Sequence, residues 1–469
     1  MTTELWRIGA ADLARAIRER QASSCEVMQA HLERIDAVNS RVNAITVVLR
    51  QEALHAAEAA DKAVSAGARL GPLHGVPITI KENIDLAGSA TTQGLAALRN
   101  AIAQEDAPHI AQLRHAGAIP IGRTNLPDLA LRWHTHSEIK GATRNPWNPS
   151  ISPGGSSGGE AAALATGMTP LGFGNDYGGS LRYPSQCCGT AAIRPSRGRV
   201  PWASSLDPFE FPITLQLFYV QGPMARHVRD LRIALQAISG PDARDPWWTP
   251  APLEGPALSE PIPVAVTFDP GKQGIDPGVA SGVREAATVL SDAGYAVEEV
   301  EPPAINEAAA LWRQLVAAEI RTIFLPFMQQ TASAQAVEFL NLFLASLPEG
   351  DLRAYMEALA ERNRLARQWT QFAQKHPLIL GPISTLPPMP VGYDLAGVAE
   401  VEQLVRSMRL VTTINLLGLP SAAVPVSVAG QTPRAVQIIG PMYREDLCLN
   451  AAETIEQRLG VLTPIDPKG

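Results

Sequence analysis

The chain has 469 residues, of which 46% are hydrophobic, as expected for a globular protein that can bury a large core. Its 39 basic and 46 acidic residues give a formal net charge of -7, and no stretch is rich in Lys or Arg. Nucleic acid is therefore not expected as its main partner. The chain has only four cysteines, too few for a disulfide framework, which favours a reducing compartment.

The N-terminal sequence MTTELWRIGA has no basic region followed by an apolar region, so it does not predict a signal peptide. No apolar run reaches the roughly 18 residues that are needed to span a bilayer. We therefore expect a cytoplasmic protein that has no membrane-spanning segment and does not act at a membrane.

Helices are predicted for residues 1–65, where Ser23 and Glu26 have the spacing of a capping box ahead of an amphipathic stretch. From Gly71 onward, short apolar segments alternate with helical patterns, as in an α/β sheet. The elements predicted there are strands at 75–80, 118–122, 264–268, 296–300, 421–428 and 435–439 and helices at 106–117 and 277–293. The proline-rich stretch 246–262 predicts a surface connection.

Two segments rich in glycine and serine lie within residues 141–200. The first reads GGSSGGE over 154–160 and precedes a predicted small-residue helix at 161–167, and the second reads GNDYGGSLRYP over 174–184. Glycine permits close backbone approach, and converging backbone N–H groups are what an oxyanion hole requires. The second segment alone also fits a plain glycine turn with a capping serine, so it does not decide the function.

The first segment also matches another hydrolase motif. It contains G-x-S-x-G twice, centred on Ser156 or Ser157, as in the nucleophile elbow of an α/β-hydrolase. That elbow requires a later acid and a later histidine, and only His227 and His376 follow it in the chain. Neither histidine has a motif around it, so the elbow interpretation is not favoured.

Two further motifs are incomplete. Ser137 and Lys140 form an S-x-x-K pair, but the S-D-N and K-T-G motifs of a β-lactamase-like site do not follow. His134 and His136 could bind a metal from one face of a strand, but no third ligand has suitable spacing. A metal site is therefore not predicted.

The two glycine-rich segments, with the strand and lysine that precede them, resemble the amidase signature family. The resemblance covers nearly the whole chain and includes the segments GVPITIKENID (75–85), GAIPIGRTNLPDLA (117–130), GATRNPWNPSISPGGSSGGEAAALATG (141–167), GNDYGGSLRYPSQCCGTAAIRPSRGRV (174–200), QGPMARHVRDL (221–231) and PRAVQIIG (433–440). Ser156 and Ser180 are 24 residues apart, which is the separation of that family's bridging and nucleophilic serines. The combination makes the resemblance highly specific.

The resemblance implies a role for each residue of a Ser–Ser–Lys triad. Ser180 is the expected nucleophile, Ser156 the bridging serine with a cis peptide bond to Gly155, and Lys81 the general base. The residues expected to offer oxyanion N–H groups are Tyr177, Gly178, Gly179 and Ser180. The residues expected to hold the surrounding loops are Ser157, Asn175, Asp176 and Arg182. No metal or organic cofactor is implied.

The fold implied by the resemblance is one α/β/α domain over residues 1–469, a large mixed β-sheet flanked by helices on both faces. Residues 1–65 would form N-terminal helices, and residues 71–240 would carry the catalytic motifs. Residues from about 305 to 375, mostly helical and rich in large apolar side chains, would form a cap that lines the substrate entrance. Asn175 occupies a position where Thr is usual, and Tyr177 one where a smaller residue is common.

The implied activity is hydrolysis of the carbon–nitrogen bond of a small-molecule amide through an acyl-enzyme, with carbamates and esters also open. Large apolar side chains predict bulky apolar substrates such as aryl amides or aryl carbamates. The residues proposed to line the entrance are Tyr177, Leu215, Leu217, Phe218, Tyr219, Trp312, Phe324, Phe327, Met328, Phe339, Leu342 and Phe343. Alternatively, these side chains form the core of the cap itself. Nothing in the sequence directs Arg313, Glu319 or Arg321 toward the site.

Two other functions are considered. The glutamine-hydrolysing component of a tRNA-dependent amidotransferase shares this signature, and it would need a constitutive partner. A catalytically inactive binding protein is the third class, and the intact Ser180, Ser156 and Lys81 argue against it. For a stand-alone amidase we expect a monomer or a homodimer.

Overall fold

A computed structural model describes residues 4–206 and 210–468 of the chain. Eleven of its strands form one sheet, and β4 and β5 form a separate antiparallel pair. The strands in chain order are β1 (Ile45–Val48), β2 (Pro77–Lys81), β3 (Ile119–Thr124), β4 (His136–Ser137), β5 (Gly141–Ala142), β6 (Leu171–Asp176), β7 (Ala191–Arg194), β8 (Val220–Ala225), β9 (Pro263–Val266), β10 (Ala296–Glu299), β11 (Leu378–Pro382), β12 (Ser421–Ala429) and β13 (Thr432–Ile439).

Helices connect these strands. In chain order they are α1 (Ala10–Arg18), α2 (Ser24–Val42), α3 (Arg50–Ser65), α4 (Pro108–His115), α5 (Gly158–Ala165), α6 (Arg182–Cys188), α7 (Ile213–Phe218), α8 (Val228–Ile238), α9 (Pro277–Asp292), α10 (Ile305–Glu319), α11 (Leu325–Thr331), α12 (Ala334–Leu344), α13 (Leu352–Ala373), α14 (Val398–Ser407), α15 (Arg409–Leu417) and α16 (Glu445–Leu459). Within the two described ranges, none of the helices is both long enough and apolar enough to cross a bilayer.

The large sheet is mixed, as the sequence predicts for an α/β protein. Its strand order is β1-β3-β2-β6-β8-β7-β12-β13-β11-β9-β10. The neighbours β3, β2 and β6 run parallel, as do β11, β9 and β10, and the strands between these groups pair antiparallel. Because β2 and β6 are parallel neighbours, the segments that follow both strands begin at the same edge of the sheet.

Helices cover both faces of this sheet, which confirms the predicted layering. Strand β12 shows it directly, because its side chains alternate between two hydrophobic cores. Ala422 and Val424 pack into a core with helices α8, α9 and α16, whereas Ala423 packs into a core with helices α10, α12 and α13. The second core contains most of the large apolar side chains of residues 305–375.

Most predicted elements are present, with shifted ends. The capping box at the start of α2 is confirmed, since Glu26 N–H donates to Ser23 Oγ at 3.0 Å and Ser23 N–H donates to Glu26 Oε2 at 2.7 Å. The small-residue helix α5 begins at Gly158, three residues earlier than predicted. The predicted strand at 75–80 is shifted to end at Lys81, which places the lysine inside β2. Residues 246–262 carry no helix or strand and lie at the surface, as predicted.

The region predicted to be a helical cap contains four helices. Helix α10 continues through a π-helical turn at Ile320–Phe324 into α11, and α12 and α13 follow. Leu365 of α13 is fully buried in the second core, whereas Leu352 at the start of the same helix is 74% exposed. These two leucines therefore test how strongly the cap is held to the sheet.

We expect Leu365→Ala to lower the free energy of unfolding by about 2–5 kcal/mol, because it removes buried methyl groups and leaves a cavity. Leu352→Ala is the matched control, and its change is expected to stay within about 0.5 kcal/mol. Urea unfolding followed by circular dichroism measures both values. Equal values for the two variants would contradict the packing described for α13.

Candidate active site

Lys81 is the last residue of β2, and its side chain has no exposed surface. Its Nζ atom lies 2.7 Å from Ser156 Oγ, 3.0 Å from Ser157 Oγ and 2.7 Å from Asn175 Oδ1. Burial disfavours the charged ammonium and lowers the pKa of Lys81 to about 7, against the opposing effect of nearby carboxylates. The amine is therefore available in its neutral form near neutral pH.

The three contacts of Lys81 Nζ are all with oxygen atoms of uncharged side chains. Asn175 Nδ2 donates to Asn83 Oδ1 at 2.9 Å, which directs the Asn175 carbonyl oxygen toward the lysine. Once deprotonated, Nζ can donate to Asn175 and to Ser157 and accept from the hydroxyl of Ser156. This arrangement leaves the Ser156 oxygen able to take a proton from another group.

The loop before α5 carries Ser156 and Ser157 into the interior. The peptide bond between Gly155 and Ser156 is cis, as expected from the family resemblance. A Cβ on Gly155 would lie 2.6 Å from the carbonyl oxygen of Arg132, so only glycine fits where these two loops pack together. Ser156 and Ser157 are both buried.

Ser180 follows β6, on the loop that leads into α6. Ser157 N–H donates to the Ser180 carbonyl oxygen at 3.3 Å, which joins the two glycine-rich segments. The Ser180 side chain lines two cavities and is 7% exposed. Within the described chain its hydroxyl makes no hydrogen bond. Ser180 thus lines one cavity together with Ser156, the serine that Lys81 Nζ contacts.

Of the four N–H groups expected to form an oxyanion hole, one is already engaged. Gly179 N–H donates to Asp176 Oδ1 at 2.9 Å. The N–H groups of Tyr177, Gly178 and Ser180 donate to no atom of the described residues. The structure thus leaves three of the four donors free for a ligand.

The Asp176 carboxylate holds the loop of residues 177–180 in place. It accepts from Arg182 Nε at 3.1 Å and Nη2 at 3.0 Å and from Asn415 Nδ2 at 2.7 Å, and Arg194 Nη1 lies 3.5 Å away. Burial acts to raise the pKa of the Asp176 carboxyl, but the two arginines lower it well below its usual range. The carboxylate is therefore ionised, and the two neighbouring arginines balance its negative charge. Arg182 was predicted to hold the loop, whereas Arg194 and Asn415 were not.

A second buried carboxyl group lies behind Lys81. Thr79 and Lys81 are two residues apart on β2 and share one face of the sheet. Thr79 Oγ1 donates to Glu160 Oε2 at 2.6 Å, and Thr124 Oγ1 donates to Glu160 Oε1 at 2.7 Å. Burial raises the pKa of Glu160 to about 7, while these hydrogen bonds and Lys81 lower it. The glycine-rich motif contains Glu160, but the sequence did not indicate that its carboxyl group lies near Lys81.

Two cavities meet at Ser180. Of the two, the first is the more apolar and is lined mainly by aromatic and aliphatic side chains: Leu131, Trp133, Trp312, Val316, Ile320, Phe339, Leu340 and Phe343. The second includes polar groups together with aromatic rings: Asn83, Gln93, Ser156, Asn175, Trp202, Phe211 and Tyr219. Ala130, Leu131, Tyr177 and Ser180 line both cavities. Ser156 lines only the second of these two cavities, so it faces that cavity.

The residues predicted to line the entrance divide into two groups. Those that line a cavity are Tyr177, Leu215, Tyr219, Trp312, Phe324, Phe339 and Phe343. Those that do not are Leu217, Phe218, Phe327, Met328 and Leu342. Phe218 and Met328 are fully buried, so for them the alternative of a structural core is correct. Trp133 lines the first cavity, and no sequence pattern indicated it.

The remaining candidates have structural contacts. His134 Nδ1 lies 3.0 Å from Ser152 Oγ, and burial lowers the pKa of His134 to about 4. No three or more His, Cys, Asp and Glu side chains of residues 4–206 and 210–468 are grouped so that they could hold a metal ion. Arg313 pairs with Glu402, and Arg321 donates to main-chain carbonyls of the cap. Glu319 accepts hydrogen bonds from Thr214 and Tyr355.

Comparison with known proteins identifies the family of the chain. A model of the Amidase family matches residues 26–449. An indoleacetamide hydrolase of Bradyrhizobium diazoefficiens is 44% identical over 98% of this chain and 88% of its own length. A glutamyl-tRNA(Gln) amidotransferase component from Salinispora arenicola is 30% identical over 98% of this chain and 99% of its own length.

The fold is also shared with a solved structure. A 6-aminohexanoate cyclic dimer hydrolase in complex with its substrate superimposes with a TM-score of 0.82 at 26% identity, covering 97% of this chain and 98% of that protein. The family match spans both glycine-rich segments and Lys81. The chain therefore belongs to the amidase signature family, and it is a hydrolase that cuts the carbon–nitrogen bond of amides.

Proposed function

We propose that this amidase forms an acyl-enzyme on Ser180, with Lys81 as the general base and Ser156 as the proton relay between them. One observation carries the proposal: a fully buried Lys81 Nζ, whose pKa is lowered to about 7, lies 2.7 Å from Ser156 Oγ. A serine hydroxyl attacks a carbonyl only when a base takes its proton, and a neutral amine is such a base.

In the proposed reaction, a proton is transferred from Ser180 through Ser156 to Lys81 and is later returned along the same route. As Ser180 Oγ forms a bond to the substrate carbonyl carbon, its proton passes to Ser156 Oγ and the Ser156 proton passes to Lys81 Nζ. The carbon–nitrogen bond then breaks, and the same proton returns through Ser156 to the leaving amine. Water then attacks the acyl carbon and passes one proton through Ser156 to Lys81. The bond from the acyl carbon to Ser180 Oγ breaks, that oxygen takes a proton back through Ser156, and the acid is released.

We propose that the free N–H groups of Tyr177, Gly178 and Ser180 stabilise the oxyanion that forms on the substrate carbonyl. We call residues 177–180 the oxyanion loop. Asp176, paired with Arg182, holds the loop through Gly179 N–H, so that this N–H shapes the loop while the other three remain available. Hydrogen-bond donors that are already in place stabilise the transition state much more than donors that must first reorganise.

For the substrate, we propose an amide whose acyl group carries a flat aromatic ring, of the arylacetamide type. Supporting this, the first cavity beside Ser180 is lined by Trp133, Trp312, Phe339 and Phe343. Ligand pockets that are mostly apolar favour such rings, and aromatic side chains pair well with them. The relative named indoleacetamide hydrolase is consistent with this choice. The leaving amine would depart through the second cavity, since Ser156 faces that cavity.

The glutamine-hydrolysing amidotransferase component is the second candidate, because the chain is 30% identical to such a protein along nearly its whole length. Glutamine carries an ammonium and a carboxylate, and a buried site must pair both. Among the described side chains that line the two cavities, Arg132 is the one charged residue, and Asp394 already pairs with it at 2.5 Å. The lining therefore favours an uncharged substrate.

We also propose that the enzyme acts in the cytoplasm as a monomer or a homodimer. Cys25, Cys187, Cys188 and Cys448 are free thiols in the structure, which is compatible with a reducing compartment.

The pH dependence of the reaction tests Lys81 as the base. We expect kcat/KM for an amide to rise with pH around 7 and to level off in alkaline solution, because only the neutral amine accepts a proton. Asn175→Asp places a negative charge beside Nζ, which stabilises the ammonium. The rise should then move upward by roughly one to three pH units.

Asn175→Thr is the matched control, because it changes the same contact without adding a charge. Its pH profile should rise at the same pH as that of the unmodified protein, whatever its maximal rate. A profile for Asn175→Asp that coincides with the unmodified profile would mean that Lys81 does not set the protonation step.

The substrate preference is tested by comparing kcat/KM for indole-3-acetamide, acetamide and glutamine. Burial of an aromatic group contributes about 1.5–3 kcal/mol, so indole-3-acetamide should exceed the other two by roughly tenfold or more. Phe339→Leu should reduce this advantage, because Phe339 lines the first cavity.

Phe372→Leu is the matched control for that variant, since Phe372 lies in the cap and outside both cavities. It should leave the ratio of the three values unchanged. A glutamine value above that of indole-3-acetamide would reject the proposed substrate and favour the amidotransferase alternative.

A further inference from the structure

We propose that Trp133 and Trp312 are positioning residues for the oxyanion loop, and that they couple the filling of the first cavity to the geometry of that loop. We call these two residues the indole pair. The inference rests on the proposed role of residues 177–180. Neither indole is required to touch the reacting atoms, because both act through the main chain of the loop.

The indole pair binds two consecutive carbonyl groups of the loop. Trp133 Nε1–H donates to the Gly178 carbonyl oxygen at 2.8 Å, and Trp312 Nε1–H donates to the Tyr177 carbonyl oxygen at 3.3 Å. The C=O and N–H of a trans peptide point in opposite directions. Holding both carbonyls toward the indoles therefore turns the N–H groups of Gly178 and Gly179 away from them.

These two N–H groups have different partners, and the difference fixes the loop. Gly179 N–H donates to Asp176, so the peptide between Gly178 and Gly179 is held at both ends, by Trp133 and by Asp176. The peptide between Tyr177 and Gly178 is held only at its carbonyl, by Trp312. Its N–H is thereby presented to a ligand in a fixed direction.

The loop also packs directly on the indole pair. A Cβ on Gly178 would lie 2.9 Å from Trp312 Cζ2, so no side chain fits between the loop and this ring. The rings of Trp133 and Trp312 have centroids 6.5 Å apart, and Trp133 meets Phe339 edge-on at 6.2 Å. Both indoles are nearly fully buried, so their positions are set by packing as well as by hydrogen bonds.

The same two rings line the first cavity together with Ser180. An aromatic acyl group that fills this cavity contacts the indole pair, and contact restricts the movement of the rings that hold the loop. A small acyl group such as acetyl leaves the rings without that contact. The indole pair should therefore raise kcat for aromatic substrates in addition to lowering KM.

Trp133→Phe and Trp312→Phe test the proposal, because phenylalanine keeps an aromatic ring and removes the N–H donor. Trp369→Phe is the matched control: its Nε1–H also donates to a main-chain carbonyl, that of Pro303 at 2.8 Å, but it lies outside both cavities. The first measurement is the rate at which a fluorophosphonate labels Ser180. This rate reports on the nucleophile and its oxyanion donors whatever the natural amide is.

We expect Ser180 labelling to slow by roughly three- to tenfold in Trp133→Phe and in Trp312→Phe, the effect of one lost hydrogen bond of ordinary strength. Trp369→Phe should stay within twofold of the unmodified protein. For the best amide substrate, kcat should fall by the same factor as labelling while KM changes less than threefold. Replacement of either indole by benzothienylalanine, which keeps the ring shape but lacks the N–H, should give the same result if a phenylalanine variant does not fold.

Labelling within twofold of the unmodified rate in both Trp133→Phe and Trp312→Phe would overturn the proposal, as would an equal loss in Trp369→Phe. A loss confined to KM would also overturn it, since it would mean that the indoles only bind substrate. Failure of indole-3-acetamide as a substrate would count against the proposed function alone, because Ser180 labelling does not depend on that amide.

Discussion

The burial of the Lys81 amine at the end of β2 determines how the rest of the site is arranged. A fully buried ammonium costs several kilocalories per mole unless it is paired, and Lys81 has no carboxylate among its hydrogen-bond partners. Its partners are neutral oxygens of Ser156, Ser157 and Asn175. Asp176 follows Asn175 in the chain, but arginines neutralise its carboxylate. Burial nevertheless lowers the pKa of Lys81 to about 7, so the neutral amine that a proton relay through two serines requires is available near neutral pH.

The fold meets this requirement by bringing the ends of two parallel strands together. Lys81 ends β2 and Asp176 ends its neighbour β6, while the loop before α5 packs between them and carries Ser156. The helices of residues 305–373 then close the other side with aromatic rings. As a result, Ser180 lies between the first cavity and the second, which Ser156 and Asn175 also line. The apolar first cavity beside Ser180 is consistent with the proposed selection of bulky amides.

The sequence indicated the α/β class and proposed three residues for the relay, because both inferences depend on local motifs and on spacing along the chain. It did not indicate contacts made by residues far apart in the chain. Asn415 reaches Asp176 from α15, and Trp133 and Trp312 reach the oxyanion loop from a loop and from α10. Short strand β1 was also missed, since four residues carry too little pattern. Sequence periodicity could not separate cavity-lining side chains such as Phe339 from core side chains such as Phe218, because both are apolar residues in helical segments.

Ser180 is proposed to carry the acyl group, and trapping the intermediate shows which serine is acylated. The protein would be mixed with a p-nitrophenyl ester of indole-3-acetic acid, whose good leaving group lets acylation outrun deacylation, and quenched in acid. Fragmentation mass spectrometry of the peptides would then locate the added acyl group. We expect one indoleacetyl group on Ser180 and none in Ser180→Ala. An acyl group on Ser156 or Ser157, or full amidase activity in Ser180→Ala, would contradict it.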